Sequence, residues 1–104
     1  MSNISRYFPR EKGVNMNKLQ ISKEGVYSVS KPKDADLISD IIIKHIRGDP
    51  KKIVITDGTS NVGGNVISFS KYFKKVNAVE ISPEQCDILK NNIEVYKRKN
   101  VKVY

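Results

Sequence analysis

Residues 32–46 follow the spacing of one face of a helix. Pro32 and Asp34 stand where this helix would begin, because proline fits the first turn and aspartate suits its positive end. Asp49-Pro50 would end it. Its inward positions recur at intervals of three and four and are widened by further apolar residues: Ala35, Leu37, Ile38, Ile41, Ile42, His45 and Ile46. The pattern predicts a well-buried first helix.

Short runs rich in β-branched residues follow this helix. The runs "KKIVIT" (51–56) and "VNAVEIS" (76–82) predict strands buried on both faces, and "VKVY" (101–104) predicts a third strand. Strands that alternate with helices are joined by right-handed crossovers into a parallel sheet. The sequence therefore predicts an α/β fold with three parallel strands and crossover helices.

Two further helix patterns connect these strands. The segment "NVISFSKYFKK" (65–75) predicts a helix with its lysines facing outward. Ser82, Pro83 and Gln85 match the start of a helix with a serine–glutamine capping box. The inner face of this last helix would contain Cys86, Leu89, Ile93 and Tyr96.

Composition limits the chain to one small domain. Residues 1–24 lack sustained periodicity and are interpreted as a basic N-terminal arm, in which Tyr7 and Phe8 are expected to lie in a disordered tail rather than stack on a base. Nothing resembles a signal peptide or a membrane span, and the single Cys86 excludes an internal disulfide. We therefore expect an intracellular protein of the cytoplasm or nucleus.

The formal net charge of +8 favours an anionic partner, although it also serves solubility. RNA, DNA and acidic membrane surfaces are all candidates. Two basic clusters stand out, one from Lys71 to Lys75 and one from Lys97 to Lys99. We interpret them as solvated helix faces, with contact to RNA as the alternative.

The loop after the first strand has the features of a ligand site. Ligands of parallel α/β sheets bind beyond the carboxyl ends of the strands, where the loop from Asp57 to Gly64 lies. Gly63 and Gly64 would leave room for a ligand and permit positive φ, and the next helix start would offer free N–H groups. Glu80, at the end of the second strand, is placed to accept hydrogen bonds from a ribose diol. A tight turn beside an exposed glutamate is the structural alternative.

The nucleoside could belong to NAD or to S-adenosylmethionine. A dinucleotide fingerprint reads G-x-G-x-x-G, and a match that starts at Gly58 places Ser60 where the middle glycine is needed. Asp57 at the end of the first strand suits a ligand with a cationic amino-acid end. Both observations favour S-adenosylmethionine.

The segment "DGTSNVGGNVISFSKYFKKVNAVEISPEQCDILKNNIEVY" (57–96) resembles the cofactor-binding half of class I methyltransferases. It is most similar to the trimethylguanosine synthase group, the RNA cap guanine-N2 methyltransferases. The upstream "EGVYSVSKP" (24–32) resembles the segment that precedes the first helix in that group, and the similarity covers roughly residues 18–104. The positions that match the group's motifs are Asp57, Val62, Gly63, Gly64, Asn65, Glu80, Pro83, Asn91 and Asn92.

The resemblance implies a Rossmann-like unit that binds S-adenosyl-L-methionine. No metal site is expected, since one histidine and one cysteine do not make one. The cofactor-binding residues would be Asp57, Thr59, Asn61, Gly63, Gly64, Asn65 and Glu80. Thr59 and Asn61 stand where such loops commonly carry glycine. Asparagine tolerates the left-handed conformation, whereas the β-branched Thr59 would crowd the ligand.

The resemblance also implies that the catalytic segment lies outside this chain. Enzymes of the group carry an Asp-Pro-Pro-Trp segment after the fourth strand, which holds the exocyclic amine and stacks on the guanine. This chain has no tryptophan, and its Asp49-Pro50 precedes the first strand. We therefore expect residues 25–104 to be the N-terminal half of a methyltransferase domain, without catalytic residues of its own, and capped RNA to be the partner of the complete enzyme.

Two alternatives remain: another nucleic-acid or small-molecule methyltransferase, and a catalytically inactive basic module that keeps the fold and binds RNA or another partner. Class I methyltransferases order their first three strands three, two, one, which would leave "KIVIT" (52–56) at an edge. An unprotected edge invites pairing with another chain. We expect self-association or a partly molten fragment, unless residues 16–22 fold back over the edge.

Overall fold

The computed structural model describes residues 4–104 and has the alternating order of helices and strands that the sequence predicts. The strands are β1 (Val54–Asp57), β2 (Lys75–Ala78) and β3 (Val101–Val103), and the helices are α1 (Lys23–Ser28), α2 (Pro32–His45), α3 (Gly64–Tyr72) and α4 (Pro83–Val95). Short 3-10 turns lie before α1, at Ile4–Arg6 and Met16–Lys18, and between α2 and β1, at Pro50–Lys52. Helix α1 is an addition that the sequence pattern did not predict. Within the described residues, none of the helices has the length and apolar character needed to cross a membrane.

The strands form one parallel sheet in the order β1-β2-β3. In this register Ile55 lies beside Val76, and Val76 lies beside Val101. Because β1 pairs with β2 alone within residues 4–104, it is an edge strand. The predicted α/β fold, strand order and edge position are confirmed.

The apolar core lies between one face of the sheet and the helices α2, α3 and α4. Ile55, Val76, Ala78, Val101 and Val103 point into it from the strands and contact Phe69, Phe73, Leu89 and Ile93. The prediction that the strands are buried on both faces is therefore wrong. The opposite face carries Val54, which is 50% exposed, together with Thr56, Lys75, Asn77 and Lys102, because no described helix packs there.

Helix α2 is buried along a narrower stripe than the sequence predicts. Ala35 and Ser39 are buried against α3, and the Ser39 and Ser68 hydroxyls are 2.7 Å apart. Leu37 and Ile41 are 57% and 48% exposed. His45 is exposed as well. The apolar face is therefore wider than the surface that α3 and the core cover.

The N-terminal arm packs against α3 and α4, so the expectation of a disordered tail at Tyr7 and Phe8 is wrong. Phe8 is 0% exposed and belongs to a second apolar cluster, with Leu19, Val29, Val62, Ile67 and Tyr96. The Arg98 guanidinium donates two hydrogen bonds to the Glu11 carboxylate, at 2.8 and 2.6 Å. Side-chain burial and this paired charge hold the arm in place.

Residues 16–22 lie along α4 and do not cover the β1 edge. The Gln20 N–H donates to Asn92 Oδ1, and Asn92 Nδ2 donates to the Gln20 carbonyl, both at 2.9 Å. The alternative in which this segment folds back over β1 is therefore wrong. The expected self-association through β1 stays a prediction.

Candidate cofactor site

The loop that follows β1 is fixed by hydrogen bonds to the end of β2. The Ser60 N–H donates to the Val79 carbonyl at 2.8 Å, and the Val79 N–H donates to the Asp57 carbonyl at 2.9 Å. The Ser60 hydroxyl also donates to the Asp57 carbonyl, and the Gly63 N–H donates to the Ser60 carbonyl. These bonds place the loop at the carboxyl ends of β1 and β2, where the sequence predicts a ligand site.

Two positions in this loop adopt left-handed backbone conformations. Asn61 has φ 53° and Gly63 has φ 107°. Asparagine and glycine are the residues that adopt this region most readily. The backbone conformation at these two positions therefore favours the residues that the sequence has there. The expectation that Asn61 tolerates the left-handed conformation agrees with this geometry.

Gly64 has a different role from the one that the sequence suggested. A Cβ atom at Gly64 would overlap the Ser30 carbonyl oxygen and lie 2.7 Å from Val29 Cγ2. The space beside Gly64 is therefore filled by the segment between α1 and α2 and not left open for a ligand. The close approach of this backbone segment requires glycine at the first position of α3.

Glu80 lies two residues beyond β2 and organises the site through both carboxylate oxygens. Its Oε1 accepts a hydrogen bond from the Asn61 N–H at 2.7 Å, and its Oε2 accepts one from the Ser82 N–H at 2.9 Å. A carboxylate oxygen has two lone pairs, so each oxygen keeps the capacity to accept a second donor. Glu80 can thus hold the loop and bind a diol at the same time.

Asp57 presents a buried oxygen that has no partner within the described residues. Its Oδ1 accepts a hydrogen bond from the Thr59 N–H at 3.1 Å, whereas Oδ2 is buried and unpaired. Burial raises the pKa of this carboxyl, the bond from Thr59 opposes that shift, and the nearby Glu80 charge adds to it. A cationic donor bound at Oδ2 would relieve this unfavourable state, which fits the ammonium end of S-adenosylmethionine.

Asp57→Asn should therefore stabilise the protein at neutral pH. The raised pKa means that the folded state disfavours the carboxylate, so wild-type stability is greatest below the ordinary value of 3.8 and falls as pH rises through the folded-state pKa. The variant cannot ionise and escapes this loss. Thermal melts at pH 3 and pH 7 measure this effect. The Tm of the variant should exceed that of the wild type by more at pH 7 than at pH 3. An equal difference in Tm at both pH values would contradict the prediction.

Helix α1 contributes site residues that the sequence analysis missed. The Asn61 amide donates to Ser28 Oγ at 2.7 Å, which joins the loop to the end of α1. The Gln85 side chain accepts from Ser22 Oγ at 2.8 Å and donates to Glu24 Oε2 at 3.2 Å, which joins α1 to α4. The available signal was the "EGVYSVSKP" resemblance, but no local pattern states that this segment contacts the loop.

The remaining predicted site residues are Thr59, within this loop, and Asn65, directly after it. Thr59 is exposed, and its backbone N–H donates to Asp57 Oδ1. Asn65 lies in the first turn of α3, and its Oδ1 is buried without a partner. The described residues contain no cluster of side chains that could bind a metal.

Parallel strands, crossover helices and a glycine-containing loop between acidic strand ends define a Rossmann-like class I methyltransferase fold. A family model described as RNA cap guanine-N2 methyltransferase matches residues 52–104, about half of the chain. The chain belongs to this family, as its motifs indicated.

One curated relative and several solved structures are similar to this chain, and the structures share its fold. The protein L320 of Acanthamoeba polyphaga mimivirus is 33% identical over 116 residues, an alignment that covers 93% of this chain and 45% of L320. A putative methyltransferase from Porphyromonas gingivalis has a TM-score of 0.65 and 18% identity, and the match covers 88% of this chain and 21% of that chain. A putative methyltransferase from Streptococcus mutans, solved in complex with SAH, has a TM-score of 0.54 and 20% identity, with 72% and 40% covered. The chain therefore spans less than half the length of these proteins.

Proposed function

We propose that this chain is the S-adenosylmethionine-binding part of an RNA methyltransferase, and that the complete enzyme methylates the N2 amine of an RNA cap guanine. Family membership supports the reaction and the substrate class. The observation that carries the proposal is the pair of carboxylates, Asp57 and Glu80, at the ends of adjacent strands beside the left-handed Gly63 turn. This arrangement suits a ligand with a ribose diol and a cationic amino-acid end.

Each residue has a distinct proposed role. Bound S-adenosylmethionine supplies a methyl group that its sulfonium already activates, so the protein acts mainly by positioning. Asp57 Oδ2 accepts the ammonium group, and Glu80 accepts the ribose hydroxyls while its other bonds keep Asn61 and Ser82 in place. Gly63 sets the turn into α3 and leaves the start of this helix without a side-chain cap, so its first N–H groups are offered to the ligand. The SAH complex of the Streptococcus mutans protein supports the choice of cofactor.

The acceptor side of the reaction is proposed to lie outside residues 1–104. The relatives are more than twice as long as the matched region, and the base-holding Asp-Pro-Pro-Trp segment of the group has no counterpart in this sequence. The β1 edge and the open sheet face offer the surface on which further structure, or a second copy, would pair. Capped RNA as the substrate would place the protein in the cytoplasm or nucleus.

The other functions make different predictions. Another nucleic-acid or small-molecule methyltransferase would bind the cofactor but would not use capped RNA. A catalytically inactive module, which the charge of +8 favours, would bind RNA and not the cofactor. Calorimetry with S-adenosylmethionine tests for the inactive module. A labelled-methyl assay of the complete protein on capped and uncapped oligonucleotides tests for a methyltransferase with another substrate.

Glu80→Ala should weaken S-adenosylmethionine binding by about 10- to 100-fold, because a diol bound to a carboxylate contributes about 1.5–3 kcal/mol. Calorimetry with S-adenosylmethionine and with methylthioadenosine separates the two ends of the site. Glu80→Ala should weaken both ligands, whereas Asp57→Asn should weaken only S-adenosylmethionine, since methylthioadenosine lacks the amino-acid end.

Glu84→Ala is the matched control, because Glu84 is an exposed carboxylate in the first turn of α4. It should leave both affinities unchanged. Equal affinities for wild type and Glu80→Ala would remove Glu80 from the site. An absence of binding by the wild-type protein would contradict the cofactor assignment.

A further inference from the structure

Lysines from three connections meet at the end of the sheet opposite the cofactor loop. They lie within four residues of the strand starts: Lys51 and Lys52 before β1, Lys74 and Lys75 at the start of β2, and Lys97 and Lys99 before β3. We call these six residues the basic edge. These lysines are far apart in the sequence, so the sequence alone does not indicate that they are close in space.

Backbone contacts establish that the three connections are adjacent. The Lys74 N–H donates to the Pro50 and Ile53 carbonyls, at 3.2 and 3.0 Å. The Val76 N–H donates to the Asn100 carbonyl at 2.8 Å. Neighbouring strands of a sheet lie about 4.8 Å apart, so the lysines that begin them form a closely spaced row.

Acidic residues do not neutralise this row. Asp49 is the only carboxylate in segments 49–53, 73–75 and 96–100. The lysine side chains that do form salt bridges, Lys44 with Asp40 and Lys71 with Asp36, lie on the helices beside the row. Within residues 4–104, the ammonium groups of Lys52, Lys74, Lys75, Lys97 and Lys99 form neither a hydrogen bond nor a salt bridge.

Helix ends explain only part of the basic edge. Helix C-termini favour cations, and Lys51 Nζ donates to the Lys71 carbonyl in the last turn of α3, at 2.5 Å. The other five ammonium groups make no such bond. Their mutual repulsion disfavours the folded protein, and an anion bound across them would relieve it.

We propose that the basic edge binds the phosphate backbone of RNA. Phosphates contact Lys52, Lys74 and Lys99, one from each connection, and all three lysines are exposed. The connections offer neither an exposed aromatic ring nor an exposed aliphatic patch, so the surface suits backbone contacts without base readout and not insertion into a membrane. The charge arrangement by itself supports binding of a polyanion. The choice of RNA among polyanions rests on the proposed function.

This surface is separate from the cofactor site. The four residues of β1, of which Asp57 is the last, span about 13 Å at about 3.3 Å per residue, so Asp57 and the basic edge lie at opposite ends of this strand. RNA held there would be gripped at a distance from the nucleotide that is methylated. Loss of this contact should weaken RNA binding without changing the affinity for S-adenosylmethionine.

Charge reversal tests the proposal. The variant Lys52→Glu/Lys74→Glu/Lys99→Glu should bind an uncapped single-stranded RNA oligonucleotide roughly 30- to 300-fold more weakly at low salt. The slope of log affinity against log salt should fall in magnitude by about 2, since each single-strand phosphate contact contributes about 0.7. Fluorescence anisotropy without cofactor measures both quantities.

The matched control is Lys23→Glu/Lys33→Glu/Lys90→Glu, which changes three exposed lysines on α1, α2 and α4. Both triple variants lower the formal net charge from +8 to +2. The control should lose less than about 5-fold in RNA affinity, because distant charges are screened by salt. Circular dichroism and calorimetry with S-adenosylmethionine report the fold and the cofactor site independently, and the milder Lys52→Gln/Lys74→Gln/Lys99→Gln replaces the first variant if that fails to fold.

Equal losses in the two triple variants would overturn the proposal, because net charge alone would then explain binding. An absence of RNA binding by the wild-type chain at 50 mM salt would also overturn it. Tighter binding to vesicles that contain phosphatidylserine than to RNA, lost in the first variant, would assign the basic edge to a membrane instead. If RNA binding behaves as proposed but S-adenosylmethionine does not bind, the proposed function is contradicted and the assignment of the basic edge as an RNA-binding surface is supported.

Discussion

Asn92→Ala should destabilise the protein by about 2–4 kcal/mol, because it leaves several polar groups without partners in one step. Asn92 is 0% exposed. Its Nδ2 donates to the Val62 carbonyl at 2.8 Å and to the Gln20 carbonyl, and its Oδ1 accepts from the Gln20 N–H. One side chain thus connects the arm, α4 and the glycine loop.

Thermal unfolding should show this loss directly. For a domain of this size, about 2–4 kcal/mol corresponds to a Tm lowered by roughly 10–25 °C. Amide exchange should also accelerate at Gln20, whose N–H loses its acceptor. Cofactor affinity should fall along with stability, because the Val62 carbonyl belongs to the loop that enters α3.

Asn91→Ala is the matched control, since Asn91 is the neighbouring residue with a similar number of donors but greater exposure. Its amide donates to the Lys18 carbonyl at 2.9 Å and to Asn92 Oδ1 at 3.1 Å. Water can replace these bonds, so we expect a loss of only about 0.5–1.5 kcal/mol. Equal effects of the two substitutions would contradict the central role given to Asn92.

Gly64→Ala should destabilise the protein by about 2–3 kcal/mol through overpacking. The added Cβ would overlap the Ser30 carbonyl and crowd Val29, and the carbonyl belongs to backbone that cannot move without displacing α1 or α2. The displacement would also disturb Asn61, which is bonded to Ser28 in the same segment. A reduced Tm and weaker cofactor binding should therefore appear together.

Gly58→Ala provides the comparison within the same loop. A Cβ atom at Gly58 would meet nothing within 4 Å, and its φ lies outside the left-handed region. Its stability should change by less than about 0.5 kcal/mol. A neutral Gly64→Ala would show that the segment between α1 and α2 is free to move, and would contradict the tight packing described above.

Local physics explains why the sequence predicted the order of elements so well. Proline stands at the first position of α2 and α4, and β-branched runs form the strands. These residues influence the backbone conformation of their immediate neighbours in the sequence. The left-handed conformations of Asn61 and Gly63 are also local, because they depend on the steric properties of single residues. The sequence also placed Glu80 at the end of the second strand, although the observed strand β2 ends two residues earlier, at Ala78.

Gln85 illustrates where local prediction stops. The sequence placed it in a capping box with Ser82, and Ser82 Oγ does accept from the Gln85 N–H, at 3.5 Å. The Gln85 side chain, however, bonds to Ser22 and Glu24 on α1, and Glu80 takes over its expected bond to the Ser82 N–H. Helix α1, which the sequence analysis missed, thus changes the partners of a correctly predicted cap.

The sequence by itself determined the α/β order, the order of the three strands and the loop conformation, because each depends on spacing, residue type or family motif. Only the tertiary structure decided that the arm docks on α4, that Gly64 makes room for Ser30, and that the lysines of three connections form one edge. The physical reason is range. A sequence pattern predicts interactions between residues within about one or two helical turns of each other. The contacts of Phe8, Asn92 and Arg98 join residues that are far apart in the chain.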